Sequence, residues 1–344
     1  MNNDVKSLVG KRVFVGLSGG VDSAVSAALL KKAGAEVVGV FIKGWYPPDM
    51  PCTWSTDRRD AMRVAAHLRI PFHTLDASAE YKKGVIDYLL VEYRAGRTPN
   101  PDIMCNREVK FGAFYAYAKA HGADAIATGH YVQKNDRGHL ARATDPGKDQ
   151  SYFLWAMPHE ALTLAVFPLG HMKKTEVRTL AKRLSLPVAN KKDSQGICFL
   201  GSISVEDFLR SEFGEQPGEI RDTQGTLRGT HNGVLLHTIG ERLSLPGGPW
   251  YVLSKDLVRN TLIAGTHAEK ARGPYQIQFS HDHWFADPSE VSVAQYRYHG
   301  PLVSGKIQDS SFVANTLFPE LVAPGQSLVF YSNNELIGGG IIEA

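Results

Sequence analysis

The chain has 344 residues, 43% of them apolar and 21% charged, with a net charge of +3 and three cysteines. That length exceeds what one hydrophobic core usually organises, so two or three domains are expected. No apolar run approaches the ~20 residues that span a bilayer, and the opening MNNDVKSLVGKR lacks the pattern of a signal peptide, so no membrane role is expected. Cys52, Cys105 and Cys198 are too few and too scattered for a disulfide framework, which suits the reducing cytoplasm. No CxxC occurs and no His stands at ligand spacing from a Cys, so a zinc site is not expected. The slight positive charge permits an acidic partner such as RNA without establishing one.

Residues 13–17 (VFVGL) read as a buried strand and 24–33 as a helix closed by Gly34. Between them Ser18-Gly19-Gly20-Val21-Asp22-Ser23 makes the strand-to-helix turn. Paired glycines let the backbone approach a ligand, and the new helix offers free N–H groups at its positive end, so the turn favours an anion. It lacks the Lys of the P-loop and the spacing of the dinucleotide turn. Ser-Gly-Gly-x-Asp-Ser resembles the pyrophosphate loop of the N-type ATP pyrophosphatases, which split ATP to adenylate a second substrate. That resemblance implies ATP phosphates around Gly16, Leu17, Ser18, Gly19, Gly20, Val21, Asp22 and Ser23. It also implies Mg²⁺ with the nucleotide, Asp22 being the candidate carboxylate.

The next segments alternate as βα units: strand 36–45, helix 57–68, strand 71–77, helices 79–95 and 107–121, and strand 124–131. This predicts an α/β parallel sheet whose ligand sits beyond the strand ends near the switch point, where Ile42 and Gly129 are candidates to line an adenosine pocket. Plain core packing is the competing reading of Ile42.

Two cysteines stand in chemical surroundings. In GRTPNPDIMCNREVKFG (96–112) Pro99 and Pro101 stiffen a polar loop that carries Asp102 and Cys105 just before a helix. The helix dipole and Arg107 would lower the thiol's pKa from ~8.5. In ANKKDSQGICFLG (189–201) Lys191 and Lys192 precede Cys198. Two reactive cysteines suggest a relay or a transient disulfide, whereas Cys52 reads as structural.

GLSGGVDS, AGRTPNPDIMCNREVKFG, IATGHY, KDQSYFLW and KKDSQGICFLG occur in this order, with a closing APGQSLVFY…GGGIIE. The chain resembles the tRNA-specific 2-thiouridylase family, densely to about residue 201 and more loosely between 215 and 320. The resemblance implies a parallel-sheet N-type ATP pyrophosphatase domain (adenine nucleotide alpha hydrolase-like, 1–203). A small mixed linker domain that contacts tRNA (204–273) and a C-terminal β-barrel (274–344) follow. It implies adenylation of O2 of the wobble uridine, sulfur delivery from a Cys198 persulfide, and Cys105 as nucleophile and disulfide partner. Asn100, Pro101 and Asp102 match the segment that contacts the target base, where Asp102 is a candidate for proton transfer. The base must leave its stack to be reached.

The same resemblance assigns tRNA contacts to His130, Lys148, Asp149, Gln150, Tyr296, Arg297 and Gln326, and implies a sulfur donor, either a cysteine desulfurase or a sulfur-relay protein. AQYRYHG around Tyr296 departs from the family's usual form, and Glu241 stands where Gln is usual. Lys174, Arg178 and Lys182, at i, i+4 and i+8, form a basic stripe that faces phosphates or solvent. Val177, Leu180, Ala181 and Leu184 have core spacing. After residue 201 short strands with Gly and Pro punctuation replace βα units, GVLLHTI (233–239) among them. Two other readings compete. One is a pyrophosphate-loop ligase or amidotransferase such as an NAD or GMP synthetase, which needs no cysteine pair. The other is a non-catalytic RNA-binding protein with a nucleotide pocket.

Overall fold

The computed structural model describes residues 3–47, 54–193 and 204–343. Two compact units separate within it: residues up to 86, 102–193 and 334–336 in the first, and 87–101, 204–333 and 337–343 in the second.

The first unit is built on β1 (Arg12–Gly16), whose Val13, Phe14 and Val15 are fully buried. β-branched and aromatic side chains on both faces mark a strand covered by helices. β2 (Glu36–Lys43), β3 (Phe72–Asp76), β4 (Ala125–Ala127) and β5 (Ala165–Val166) join it in parallel, in the order β3-β2-β1-β4-β5. The order runs outward from β1 on one side and resumes on the other, so β1 and β4 flank the switch point. Helix α1 (Val21–Lys32) buries Ala24, Val25, Ala27, Ala28 and Leu30, small and branched residues that let it lie close to the sheet. Helix α2 is Trp54–Leu68. The two-residue β5 was not expected from sequence; it is too short to leave a period.

Residues 101–120 form one helical run: an α-turn at Pro101–Met104, a π-helical stretch at Cys105–Ala113, and α-helix again at Phe114–Ala120. This corrects the expectation of a loop up to residue 106. Proline at the first helical position lacks only an N–H that would have no partner there, so Pro101 starts the helix and takes Asp102 and Cys105 into it.

In the second unit a five-stranded mixed sheet runs Arg242–Leu243, Trp250–Asp256, Thr261–Gly265, Gly218–Asp222, Leu227–His231. GVLLHTI is not a strand. Val234–Leu236 is a 3₁₀ turn after Gly233 at φ +154°, closed by Leu236 N–H donating to Gly233 O at 3.1 Å. A continuous apolar triplet carries no alternation to distinguish the two. Six further strands make a barrel in the order Gln276–Trp284, Ser311–Ala314, Leu302–Gln308, Val293–Gln295, Ser327–Ser332, Glu335–Ile342. It closes where Phe279 pairs with Ile342 and His283 with Gly339. Trp284 stacks on Phe330 inside it, ring centroids 5.1 Å apart. Closure pairs the first and last barrel strands with each other. Among the described residues no helix is long and apolar enough to cross a membrane.

Candidate active site

The turn after β1 is shaped by what glycine permits. Gly19 has φ +76°, and a Cβ there would lie 2.3 Å from the Asp57 carbonyl oxygen. Only glycine fits both the left-handed backbone and the contact. Gly20 precedes α1 with extended backbone and no side-chain cap, so the first N–H groups of that helix stay open to an anion. Ser23 Oγ accepts the Ser18 N–H and lies 3.2 Å from Ser18 Oγ. Leu17, buried, donates its N–H to Val40 O at 2.8 Å. A Cβ on Gly129 would lie 2.7 Å from Ser23 N, and one on Gly16 would lie 3.8 Å from Ile42 Cδ1. The ends of β1, β2 and β4 thus bring Gly16–Ser23, Ile42 and Gly129 together, with a cradle that side chains would fill.

Charged groups crowd the same place. Lys174 Nζ lies 2.7 and 2.8 Å from the two oxygens of Asp22 and 2.8 Å from Asp193 Oδ1. Tyr131 donates its hydroxyl to Asp22 at 2.8 Å, and Asp145 accepts the backbone N–H of Lys174. Lys148 reaches Asp193 at 2.9 Å, and Arg178 donates to it as well. Burial would raise the Asp193 carboxyl, but hydrogen bonds from Lys174 and Lys148 hold it far below the usual carboxylate range. Burial and the neighbouring Asp22 push the Tyr131 phenol up.

Lys174 and Arg178 therefore turn to carboxylates, while Lys182 stays exposed and Val177, Leu180 and Ala181 are buried as spaced. Lys191, expected to favour a Cys198 thiolate, is engaged at 2.8 Å by both Asp57 and Asp60. Sequence reasoning missed Tyr131, Asp57, Asp60 and Asp193. The one signal for the last was an acid directly following Lys191-Lys192. Among the described residues no group of three or more His, Cys, Asp or Glu is arranged to hold a metal. Mg²⁺ typically takes one or two carboxylates beside phosphate oxygens, and at Asp22 both oxygens accept from Lys174.

The cysteine end of the unit is drier. Cys105 is 4% exposed, at the start of the π-helical stretch. Stretches of this kind recur at functional sites. Asn106 donates to Phe153 O at 3.1 Å while its Oδ1, buried, meets no partner among the described residues. Burial pushes the Asp102 carboxyl up, with Lys110 opposing. Arg107 is engaged by Glu108 at 2.6 Å. His130 is buried, hydrogen-bonded to Thr128 Oγ1 at 2.8 Å, and kept neutral by burial and by Lys110. Cys52 and Cys198 lie outside the described residues, so the proposed Cys105–Cys198 pairing does too. Asn100, half-buried, and Pro101, buried, fall in the second unit.

Residues assigned to tRNA by resemblance are mostly engaged within the chain. Asp149 is buried and accepts from Ala143 N, Ser151 N and Ser151 Oγ; Gln150 accepts the Tyr131 N–H at 3.0 Å. Tyr296 is buried with its hydroxyl 3.2 Å from Glu320, which also holds Arg297 at 2.6 Å. Gln326 donates to Thr98 O at 2.6 Å. Glu241 accepts from Thr238 N at 2.8 Å and lies 2.9 Å from His237 Nδ1.

Three family models match in succession: a tRNA methyl transferase HUP domain over residues 11–202, a tRNA methyl transferase PRC-barrel domain over 206–266, and an aminomethyltransferase beta-barrel domain over 275–342. The tRNA-specific 2-thiouridylase MnmA of Shewanella halifaxensis is 44% identical over 360 residues, covering 98% of this chain and 97% of the relative. The protein of the same name from Stutzerimonas stutzeri is 44% identical over 353 residues, covering 96% and 94%. A solved 4-thiouridine synthetase–RNA complex with bound ATP is 21% identical with a TM-score of 0.39, covering 57% of this chain and 47% of that one. With relatives of one name matched along nearly its whole length, the chain belongs to the tRNA-specific 2-thiouridylase family.

Proposed function

We propose that this protein is an ATP-dependent tRNA-uridine 2-sulfurtransferase acting on the wobble uridine. The observation that carries the reading is the end-to-end match to 2-thiouridylases, and the open helix end and glycine cradle at residues 16–23 support nucleotide use. A uridine carbonyl is a poor electrophile because oxide is a poor leaving group. Transfer of AMP to O2, with release of pyrophosphate, makes departure feasible, and a sulfur anion attacks C2 well near neutral pH.

The loop residues Gly16–Ser23 with Ile42 and Gly129 would hold ATP, and Asp22 would hold Mg²⁺. A donor protein, a cysteine desulfurase or a sulfur relay, would charge Cys198 as a persulfide. The outer sulfur goes to C2 and AMP leaves. The Cys105 thiolate attacks the inner sulfur, giving a Cys105–Cys198 disulfide that an external dithiol must reduce. Asp102, with its raised pKa, suits proton transfer at the base held by Asn100 and Pro101. His130, Lys148, Asp149, Gln150, Tyr296, Arg297 and Gln326 would shape the tRNA surface, the buried ones by positioning. We assign the three domains to 1–203, 204–273 and 274–344, and the location to the cytoplasm.

The test is to incubate the protein with ATP, Mg²⁺, a persulfide donor and unmodified tRNA, then run the RNA on an organomercury gel. A retarded band that disappears in Cys198→Ser is expected. An unshifted band with folded, ATP-binding wild-type protein would refute the assignment.

A further inference from the structure

The ions around the phosphate loop form a pattern that the proposed chemistry does not use. Lys148 Nζ lies 2.9 Å from one oxygen of Asp193, Lys174 Nζ lies 2.8 Å from the other, and the Arg178 guanidinium donates to that second oxygen. Three cations converging on one small oxyanion is the arrangement by which proteins recognise phosphate. Lys174 simultaneously grips both oxygens of Asp22, the second residue of α1, and it opens its own ten-residue helix, Lys174–Arg183. The Asp193 carboxylate therefore shares the Lys174 ammonium with Asp22 of the loop.

We propose that Asp193 is an internal stand-in for phosphate. Within the chain it neutralises Lys148, Lys174 and Arg178, and the pyrophosphate end of a bound nucleotide displaces it and takes over those cations. The inference rests on the reading that residues 16–23 bind ATP, and it transfers Lys148 from tRNA recognition to the nucleotide. It accounts for two features at once: Lys174 and Arg178 of the basic stripe turn inward, and two carboxylates, Asp22 and Asp193, face three cations. A purely architectural role is the competing account, because Arg178 also donates to the carbonyl oxygens of Ala189 and Lys191 and so fixes the chain that leads to Asp193. The two accounts differ in sign. An internal competitor, when removed, lets the ligand bind more tightly; an architectural brace, when removed, does not.

The experiment is calorimetric titration of the full chain with inorganic pyrophosphate, and separately with ATP and Mg²⁺, without tRNA or sulfur donor. Asp193→Asn is expected to bind pyrophosphate about tenfold more tightly than wild type, and Lys148→Met about tenfold more weakly. Unchanged or weaker binding by Asp193→Asn overturns the proposal. Wild-type protein that binds neither pyrophosphate nor ATP overturns the nucleotide reading instead. Should Asp193→Asn fail to fold, Lys148 decides, since its side chain is 40% exposed and tolerates change. Lys148→Met with wild-type pyrophosphate affinity, or with lost tRNA affinity alone, rejects the proposal, and recovery of affinity in Lys148→Arg supports it.

Discussion

Two parts of the first unit, the phosphate loop and the Cys105 run, treat charge in opposite ways. Around the phosphate loop four acids have a cation at hydrogen-bond distance: Asp22 with Lys174, Asp193 with Lys148 and Lys174, Asp57 and Asp60 with Lys191. Around Cys105 burial dominates. Asp102 is pushed towards its neutral form, His130 is held neutral, and Asn106 Oδ1 is buried without a partner among the described residues. One part is a network of ion pairs. The other buries the Cys105 thiol, which suits a nucleophile shielded from water. The difference teaches that ion pairing and burial adjoin in one sheet domain, since a Cβ on Gly16 of the loop would lie 3.7 Å from Phe114 of the Cys105 helical run.

Breaking that contrast is the most informative test. Cys105→Ser is expected to lower single-turnover thiolation at least ~10³-fold while leaving ATP affinity within about twofold. Filter binding beside the organomercury assay reads both, and a parallel loss of ATP binding would mean that Cys105 also supports the nucleotide. The reverse perturbation is Gly129→Ala, which drives a Cβ to 2.7 Å from Ser23 N. It should weaken ATP about 100-fold without altering the rate at which a small alkylating reagent modifies Cys105.

The pH dependence sharpens the contrast with smaller effects. The folded Asp102 carboxyl titrates above its ordinary value of 3.8, so stability is lost as pH rises from there through the shifted pKa. Asp102→Asn should flatten that window and melt about 2–4 °C higher at neutral pH, even as activity falls. His130 is shifted down from 6.5, so the unfolded chain takes up a proton first and stability declines as pH falls below that value. His130→Gln should remove part of the decline in thermal melts between pH 7 and 4.

The smallest effect lies in the second unit. Burial lowers the Lys255 amine to about 8, with Glu241 opposing, so stability rises with pH between 8 and its ordinary 10.5. Lys255→Met should abolish that rise. Glu241→Gln should shift it to lower pH while changing tRNA affinity no more than about threefold.

What the sequence disclosed follows from this physics. The Ser-Gly-Gly-x-Asp-Ser turn was legible because a backbone requirement, such as the left-handed Gly19, leaves glycine as its mark. The parallel sheet was legible because βα units repeat at fixed length. Lys191 reaching Asp57 and Asp60 was not, because ion pairs more than a hundred residues apart leave no period. Cys105 was misplaced onto a loop because proline both ends and begins helices, and local sequence does not say which Pro101 does. The GVLLHTI turn failed for want of alternation around Val234–Leu236.

The closed barrel carries a consequence for biosynthesis. Phe279 finds its partner only when Ile342 is available, so the strand Gln276–Trp284 emerges from the ribosome long before the strand that seals it. During that interval it presents an unprotected hydrogen-bonding rim to other nascent chains. Slow translation of residues 285–342, or a ribosome stalled there, would prolong that exposure.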